Sequence, residues 1–381
     1  MISSHDVLTV LKKHKLHLSD SLQKNCVHRA ICTDSRNATS ACLFIAHKDQ
    51  FITEAEEKGA NLVIRSSSPS ANQIQVSNTR LAYAVLCEFI AGNPAKDLCH
   101  IGITGTNGKT SISYIVHHLL MSQGIKAARF GTQVNHFGIR EEASTHTTPD
   151  AQVLQKHFQQ CRKEAITHSV MEVSSHGLEQ ERLGSISFEI AIFTNLTQDH
   201  LDYHGSMEEY YRCKKKLFTH HLKKGGWAVV NIDDLYGKRL YKELRAQGIQ
   251  ILTYGFHPEA EYRIGNRDPD TFSLNQQVID SPLIGDFNFA NISASILAVS
   301  KILKAQPKSF SSSLKTFSGI PGRLQKVENS SLGTVYIDYA HTPDALERVL
   351  IEIKNYCRGP LKLVFGCGGD RDQGKRPLMA Q

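Results

Sequence analysis

The sequence predicts an α/β protein built around a doubly wound, mostly parallel sheet, and three observations predict it. From residue 98 to about 320, apolar strand-like runs alternate with helical patterns. In such alternation helices cover both faces of a parallel sheet. At the start of that region the apolar run Leu98–Ile101 leads into Gly102-Ile103-Thr104-Gly105-Thr106-Asn107-Gly108-Lys109-Thr110 and then a helical pattern. A strand, a glycine-rich turn and a helix in that order form a phosphate cradle, because the helix start offers unpaired N–H groups and the positive end of its dipole. Finally, Glu172 and Asn195 fall at the carboxyl ends of strand candidates, where ligands sit in sheets of this kind.

Taken in order, residues 1–95 read as a small α/β unit with strands at Leu43–Ile45 and Asn61–Ile64, a loop at Ser66–Ser70 and a helix at Leu81–Ala91. Gly92-Asn93-Pro94 breaks the chain and marks a first boundary. In the central unit, 96–322, Ile112, Ile115, Val116, Leu119 and Leu120 recur at helical spacing after the cradle. Further strands are expected at Ser169–Val173, Phe188–Phe193, Ala228–Ile232 and Gln250–Tyr254, with a helix at Met207–Phe218. Pro321-Gly322 marks the second boundary. Residues 323–381 then read as a β-α-β unit: strand Val335–Asp338, helix Pro343–Tyr356, strand Leu361–Phe365.

Composition narrows the classes. A chain of 381 residues is too long for one ordinary domain, and 40% apolar with 21% charged residues describes a globular protein. No apolar run approaches the length that spans a membrane, and Met1–Asp20 lacks the apolar core of a secretory signal. Nine cysteines without a Cys-x-x-Cys pair indicate neither a zinc ribbon nor a disulfide framework, so reduced thiols and a cytoplasmic location are expected. The net charge of +7 suits anionic small substrates, and no dense basic run is interleaved with aromatics, so no nucleic-acid partner is expected. The longest basic run, Lys214-Lys215-Lys216, reads on its own as a solvated helix face.

Five segments carry chemistry. In the cradle, Lys109 would reach the outer phosphates and the Thr110 hydroxyl would ligate Mg²⁺, although the strict pattern asks for glycine where this chain has Ile103. Met171–Leu178 places Glu172 at a strand end, as a ligand for the Mg²⁺ of ATP or as part of a helix-capping cluster. Thr194–Gly205 gathers Asp199, His200, Asp202 and His204, either metal ligands or a polar surface loop. Asp338–Pro343 closes a strand and opens a helix. In the turn Gly366–Pro377, Arg371, Lys375 and Arg376 could bind phosphate or carboxylate, or form a charged surface loop.

In their order and length these segments resemble the Mur ligase family, the cytoplasmic enzymes that build the peptidoglycan stem peptide. The carriers are Gly-Thr-Asn-Gly-Lys-Thr (105–110), Glu-Val-Ser-Ser-His-Gly-Leu (172–178), Asp-His-Leu-Asp-Tyr-His-Gly (199–205), Asp-Tyr-Ala-His-Thr-Pro-Asp-Ala-Leu (338–346) and Gly-Gly-Asp-Arg-Asp-x-Gly-Lys-Arg-Pro (368–377). The likeness runs from Thr33-Asp34-Ser35-Arg36 to Pro377 and is strongest to the branch that adds the third residue.

The resemblance implies three domains: an N-terminal domain for the UDP-sugar, a central P-loop-type sheet for ATP, and a Rossmann-like C-terminal domain. It implies an ADP-forming ligase that joins meso-diaminopimelate or L-lysine to UDP-MurNAc-L-Ala-D-Glu through an acyl phosphate, with two Mg²⁺ sites. Gly105, Thr106, Asn107, Gly108, Lys109, Thr110, Asn291, Arg323 and Asp338 match ATP-binding positions. Thr110 and Glu172 match the first metal site, His200 and a carbamylated Lys214 the second; Lys109, Lys214, His200 and Arg323 match the catalytic set. Ser35, Thr147, Thr148, Ser174, Gln180 and Arg182 match positions that grip the UDP-MurNAc-dipeptide.

Two departures stand out. Leu43–Ile52 is shorter than its family counterpart, and the sequence stops inside the helix expected after Pro377, so the last domain is expected to be incomplete. A partner chain supplying the missing half-domain is one consequence; a non-catalytic relative that binds nucleotide or UDP-muramyl peptide is another. A related ligase such as folylpolyglutamate or cyanophycin synthetase is a third alternative. The Ser-Ser-His-Gly-Leu and Asp-His-Leu-Asp-Tyr-His-Gly segments favour the muramyl type.

Overall fold

Ile101 and Ile103 alternate with His100, Gly102 and Thr104 along the cradle strand Cys99–Thr104, so its two faces look into different cores. The two isoleucines pack with Ile112, Ile115, Val116, Leu119 and Leu120, all fully buried on the helix Lys109–Ser122. The long helix Asp286–Leu303 covers the same face. On the opposite face a second core gathers Phe130, Met171, Phe188, Phe193, Tyr210 and Leu217. Gly102 lies under the Phe188 ring, where a Cβ would come within 2.8 Å of the ring carbon Cδ1.

This computed structural model describes residues 1–23, 25–138, 140–327, 333–357, 359–367 and 375–380. Its central sheet has 11 strands. Seven of them run parallel in the spatial order Ala127–Phe130, His168–Glu172, Cys99–Thr104, Phe188–Phe193, Leu222–Asn231, Gln250–Gly255, Tyr262–Gly265. Antiparallel strands extend both ends, Val134–Phe137 and Arg140–Ala143 on one side, Thr271–Leu274 and Gln277–Asp280 on the other. The chain leaves the cradle strand toward one edge and returns across it to Phe188–Phe193, so the connection reverses direction beside the cradle.

The N-terminal region forms a separate five-stranded sheet, ordered His17–Asp20, Gln73–Val76, Leu62–Arg65, Cys42–Ile45, Ala30–Cys32. Its helix Thr79–Ile90 docks on the central unit: Tyr83 donates to Asp150 (2.9 Å), Glu88 accepts from the Ser185 N–H (2.7 Å), and Gln159 donates to the Ala91 carbonyl (2.9 Å). All nine cysteines are free thiols.

Beyond Pro321-Gly322 the structure departs from the expected β-α-β unit. Val335–Ile337 pairs antiparallel with Gln325–Val327, and the helix Pro343–Tyr356 follows as expected. Leu361–Phe365 is not a strand: no described strand pairs with it, and Leu361, Leu363, Val364 and Phe365 are exposed. An apolar, β-prone stretch becomes a strand only when a neighbour takes up its N–H and C=O groups. Residues 368–374 of the basic turn, Arg371 among them, lie outside the described residues, as does the side chain of Lys375. Among the described residues, no helix is long and apolar enough to cross a membrane.

Candidate active site

The cradle's shape follows from its glycines. Gly105 and Gly108 have φ of +145° and +89°, which L side chains rarely adopt. A Cβ on Gly108 would stand 2.7 Å from the Asn291 Oδ1, and one on Gly105 would collide with the Thr194 hydroxyl. The next parallel strand holds the turn from behind: Asn195 accepts from the Asn107 N–H (2.9 Å), and the Thr194 hydroxyl donates to the Asn107 carbonyl (2.6 Å). The Thr106 hydroxyl accepts from the Thr197 N–H (3.1 Å).

Two lysines converge on this turn. Lys109 donates to the Gly105 and Thr106 carbonyls (2.9 and 2.8 Å), and Lys214 reaches the same Gly105 carbonyl (2.9 Å) from the helix Met207–Thr219. Lys214 is 1% exposed, so it is no solvated lysine. Its neighbours in the basic run are the solvent-facing pair, Lys215 bound to Glu243 and Lys216 to Glu181. Burial holds both Lys109 and Lys214 below the usual lysine range, Lys214 far below, with the Lys109 charge pushing the same way. The Tyr210 ring lies 4.5 Å from Lys214 Nζ. An ammonium this deep costs several kcal/mol unless an anion joins it or it gives up its proton.

Glu172 closes the other side. Its carboxylate accepts from the hydroxyls of Thr110 (3.0 Å) and Thr132 (2.8 Å) and from the Thr132 N–H (3.2 Å). Arg323 donates to the same Thr110 hydroxyl (3.4 Å), and its guanidinium stacks 4.6 Å from the Tyr339 ring. A carboxylate beside a hydroxyl is a hard-oxygen set of the sort Mg²⁺ takes. Among the described residues no three His, Cys, Asp or Glu side chains gather to hold a metal ion. The Thr110 hydroxyl and the Glu172 carboxylate fit an ion that would complete its shell with water and phosphate oxygens.

His200 sits at φ +53° at the start of the short helix Leu201–His204, its ring 4.9 Å from that of His176. Burial lowers its pKa, outweighing Asp199 at 3.4 Å, and the charges of His176, Lys214 and Lys109 lower it further. His204 stacks on Tyr210 (5.0 Å) and is held down to about 4, chiefly by burial.

A cavity of about 910 Å³ unites much of this. Thr106 to Thr110, Thr147, Glu172, His200, Asn291, Arg323 and Asp338 line it, with Lys214 just behind the Gly105 carbonyl. Asp338 turns both carboxylate oxygens to backbone N–H groups, of Leu324 and Ala340, each at 2.7 Å. The remaining candidates form a cluster of their own alongside. Thr148 donates to the Glu172 carbonyl (2.9 Å) and pairs with Ser174 (3.1 Å); Arg182 donates to the Thr148 carbonyl (2.6 Å) and to Gln180 Oε1 (2.8 Å). Ser35 stands apart, in the N-terminal sheet's loop, bonded to Glu54.

Sequence reasoning passed over Thr132, which makes two of the contacts to Glu172. It follows a four-residue strand, Ala127–Phe130, too short to show a periodic signal.

A family model described as the Mur ligase middle domain matches residues 103–299, and one described as the Mur ligase glutamate ligase domain matches residues 322–381. This chain belongs to the Mur ligase family. Among curated Mur ligases, the UDP-N-acetylmuramoyl-L-alanyl-D-glutamate–2,6-diaminopimelate ligase of Geobacter sulfurreducens is 38% identical, the match covering 91% of this chain and 72% of that protein. The ligase of the same name from Thermosynechococcus vestitus is 41% identical over 75% of this chain and 59% of its own length. A solved structure of a Mur ligase with that name is 35% identical, with a TM-score of 0.74, covering 93% of this chain and 75% of that one. A Mycobacterium tuberculosis folylpolyglutamate synthase shares the fold at 18% identity and a TM-score of 0.58, over 72% and 70% of the two chains.

Proposed function

We propose that this Mur ligase joins an amino acid, by preference meso-diaminopimelate, to UDP-MurNAc-L-Ala-D-Glu with ATP as the energy source. The observation that carries the reading is the convergence of Lys109, Lys214, Thr110 and Glu172 on one phosphate cradle. Relatives bearing that ligase name support the substrate and the choice of amino acid. The division into 1–95, 96–322 and 323–381 is part of the proposal: UDP-sugar, ATP and amino-acid units in turn.

The cradle N–H groups and Lys109 hold the β- and γ-phosphates, and Asn291, Arg323 and Asp338 hold the rest of the nucleotide. The γ-phosphoryl passes to the D-Glu side-chain carboxylate, giving an acyl phosphate and ADP. The amine then attacks the acyl carbon and phosphate leaves. Phosphoryl transfer between anions needs charge neutralisation more than acid–base chemistry. Mg²⁺ supplies part of that charge; Thr110 and Glu172 are the residues proposed for one ion, His200 and Lys214 for a second. Lys214 serves there as its carbamate: burial favours the neutral amine, whose nitrogen bonds the carbon of CO₂ and releases a proton to solvent, leaving anionic oxygens on the side chain. Thr147, Thr148, Ser174, Gln180 and Arg182 orient the muramyl dipeptide, and Ser35 lies with the nucleotide-sugar end.

The test is to incubate the chain with ATP, Mg²⁺ and UDP-MurNAc-L-Ala-D-Glu, with meso-diaminopimelate, with L-lysine, or with neither. ADP release that depends on the amino acid, together with tripeptide product, is expected. ATP binding without product from either amino acid would instead mark a non-catalytic relative.

A further inference from the structure

The helix Thr79–Ile90 belongs to the N-terminal sheet, yet its side chains reach two turns of the central unit that carry substrate candidates. Arg80 and Tyr83 are three residues apart and share a helix face. The Tyr83 hydroxyl donates to Asp150 Oδ1 (2.9 Å), an oxygen that also caps the helix Ala151–Lys163 through the Gln152 N–H (3.0 Å). Asp150 ends the turn that begins with Thr147 and Thr148. Arg80 donates to both oxygens of Glu179 (2.8 and 2.7 Å), the residue before Gln180, and Glu179 also accepts from Tyr203. The shortened segment meets the same place: His47 bonds Thr79 (3.1 Å) and its ring stands edge-on to Tyr83.

We propose that Tyr83 is a positioning residue for the muramyl dipeptide, holding the Thr147–Asp150 turn in register with the N-terminal domain through its bond to Asp150. The inference rests on the function proposed above. Tyr83 outweighs Arg80 because its bond is half-buried, whereas the Arg80–Glu179 pair is 42% and 40% exposed and screened by water. Glu88 provides the contrast. It joins the same two units through Ser185, five residues along the helix from Tyr83, so its removal loosens the junction without touching either turn.

The test measures the Kd of UDP-MurNAc-L-Ala-D-Glu and of ATP, with the melting temperature, in the full chain and in Tyr83→Phe, Asp150→Asn, Arg80→Ala, Glu88→Ala and the double variant Tyr83→Phe/Asp150→Asn. Tyr83→Phe keeps the ring and loses only the hydroxyl. It should weaken the muramyl dipeptide about fivefold, leave ATP affinity unchanged, and add nothing on top of Asp150→Asn. Arg80→Ala should shift dipeptide binding less than Tyr83→Phe, and Glu88→Ala should lower the melting temperature without a selective loss of dipeptide. Equal dipeptide affinity in Tyr83→Phe and the parent overturns the inference, as does a loss that Glu88→Ala reproduces. If the parent itself fails to bind the dipeptide, the proposed function falls and the inference with it.

Discussion

Lys214 illustrates how far a side chain's surroundings govern its chemistry. Nothing in Lys214-Lys215-Lys216 separates the first lysine from the other two, yet the helix turns it inward beneath Tyr210 while its neighbours face Glu243 and Glu181. The only side-chain hydrogen bond of Lys214 among the described residues is to a carbonyl that Lys109 also uses. Under the proposed chemistry, Lys214→Ala should reduce turnover about 100-fold or more, the scale of losing one preorganised charge-stabilising group, and bicarbonate should not restore it. Steady-state ADP release with and without added bicarbonate decides the matter; unchanged turnover discards the second-metal assignment. At this scale the residue types of the site were legible, because glycine, lysine and carboxylate each have a stated use in a phosphate cradle. Burial was not: Thr132 and the shared Gly105 carbonyl depend on which strands become neighbours.

Among the elements, the cradle and its helix were readable from local signals alone. The stripe Ile112, Ile115, Val116, Leu119, Leu120 is fully buried, and Phe188–Phe193 has the limits its apolar run suggested. Short antiparallel strands such as Val134–Phe137 and Thr271–Leu274 escaped notice, since four residues hold too little periodicity to distinguish strand from loop. Leu361–Phe365 failed in the opposite sense: its composition favours a strand, but strand formation is a property of pairs. The cradle also makes a prediction about backbone. In Gly108→Ala the positive φ costs about 2 kcal/mol, and the new Cβ must displace Asn291 Oδ1 from 2.7 Å. Lower thermal stability and weaker ATP binding are expected together, read by a melting curve and by calorimetry. Loss of stability with ATP affinity intact would show that Asn291 yields at no cost to the nucleotide.

For the whole molecule, acid is the relevant stress. His100 is buried inside the central sheet, its Nε2–H donating to the Ala95 carbonyl (2.8 Å), which leaves Nδ1 as the acceptor facing the Ser169 hydroxyl. Burial depresses its pKa from 6.5 to about 4. A depressed histidine favours the fold while neutral, so its contribution is complete above 6.5 and is lost as the pH falls toward 4. The unfolded chain gains the proton first over that window, a difference of about 3 kcal/mol for this one group. Urea unfolding at a series of pH values should show stability falling between 6.5 and 4, and His100→Phe should flatten that fall whatever its stability at pH 7. An equally steep fall in the variant assigns the acid sensitivity to other groups.

The central sheet's outermost strands bear on a different matter, whether copies of the chain stay apart. An outer strand leaves a row of N–H and C=O groups that any extended chain can pair with. On one side that row belongs to Arg140-Glu141-Glu142-Ala143, every residue exposed and three of the four charged. On the other, Ser311 bonds both the Asp280 N–H (2.9 Å) and the Asp280 carboxylate (2.7 Å), tying a following helix across the last strand. Charged side chains line one edge, and at the other a following helix is tied to the end of the strand, so both edges carry features that disfavour pairing with a strand of another molecule.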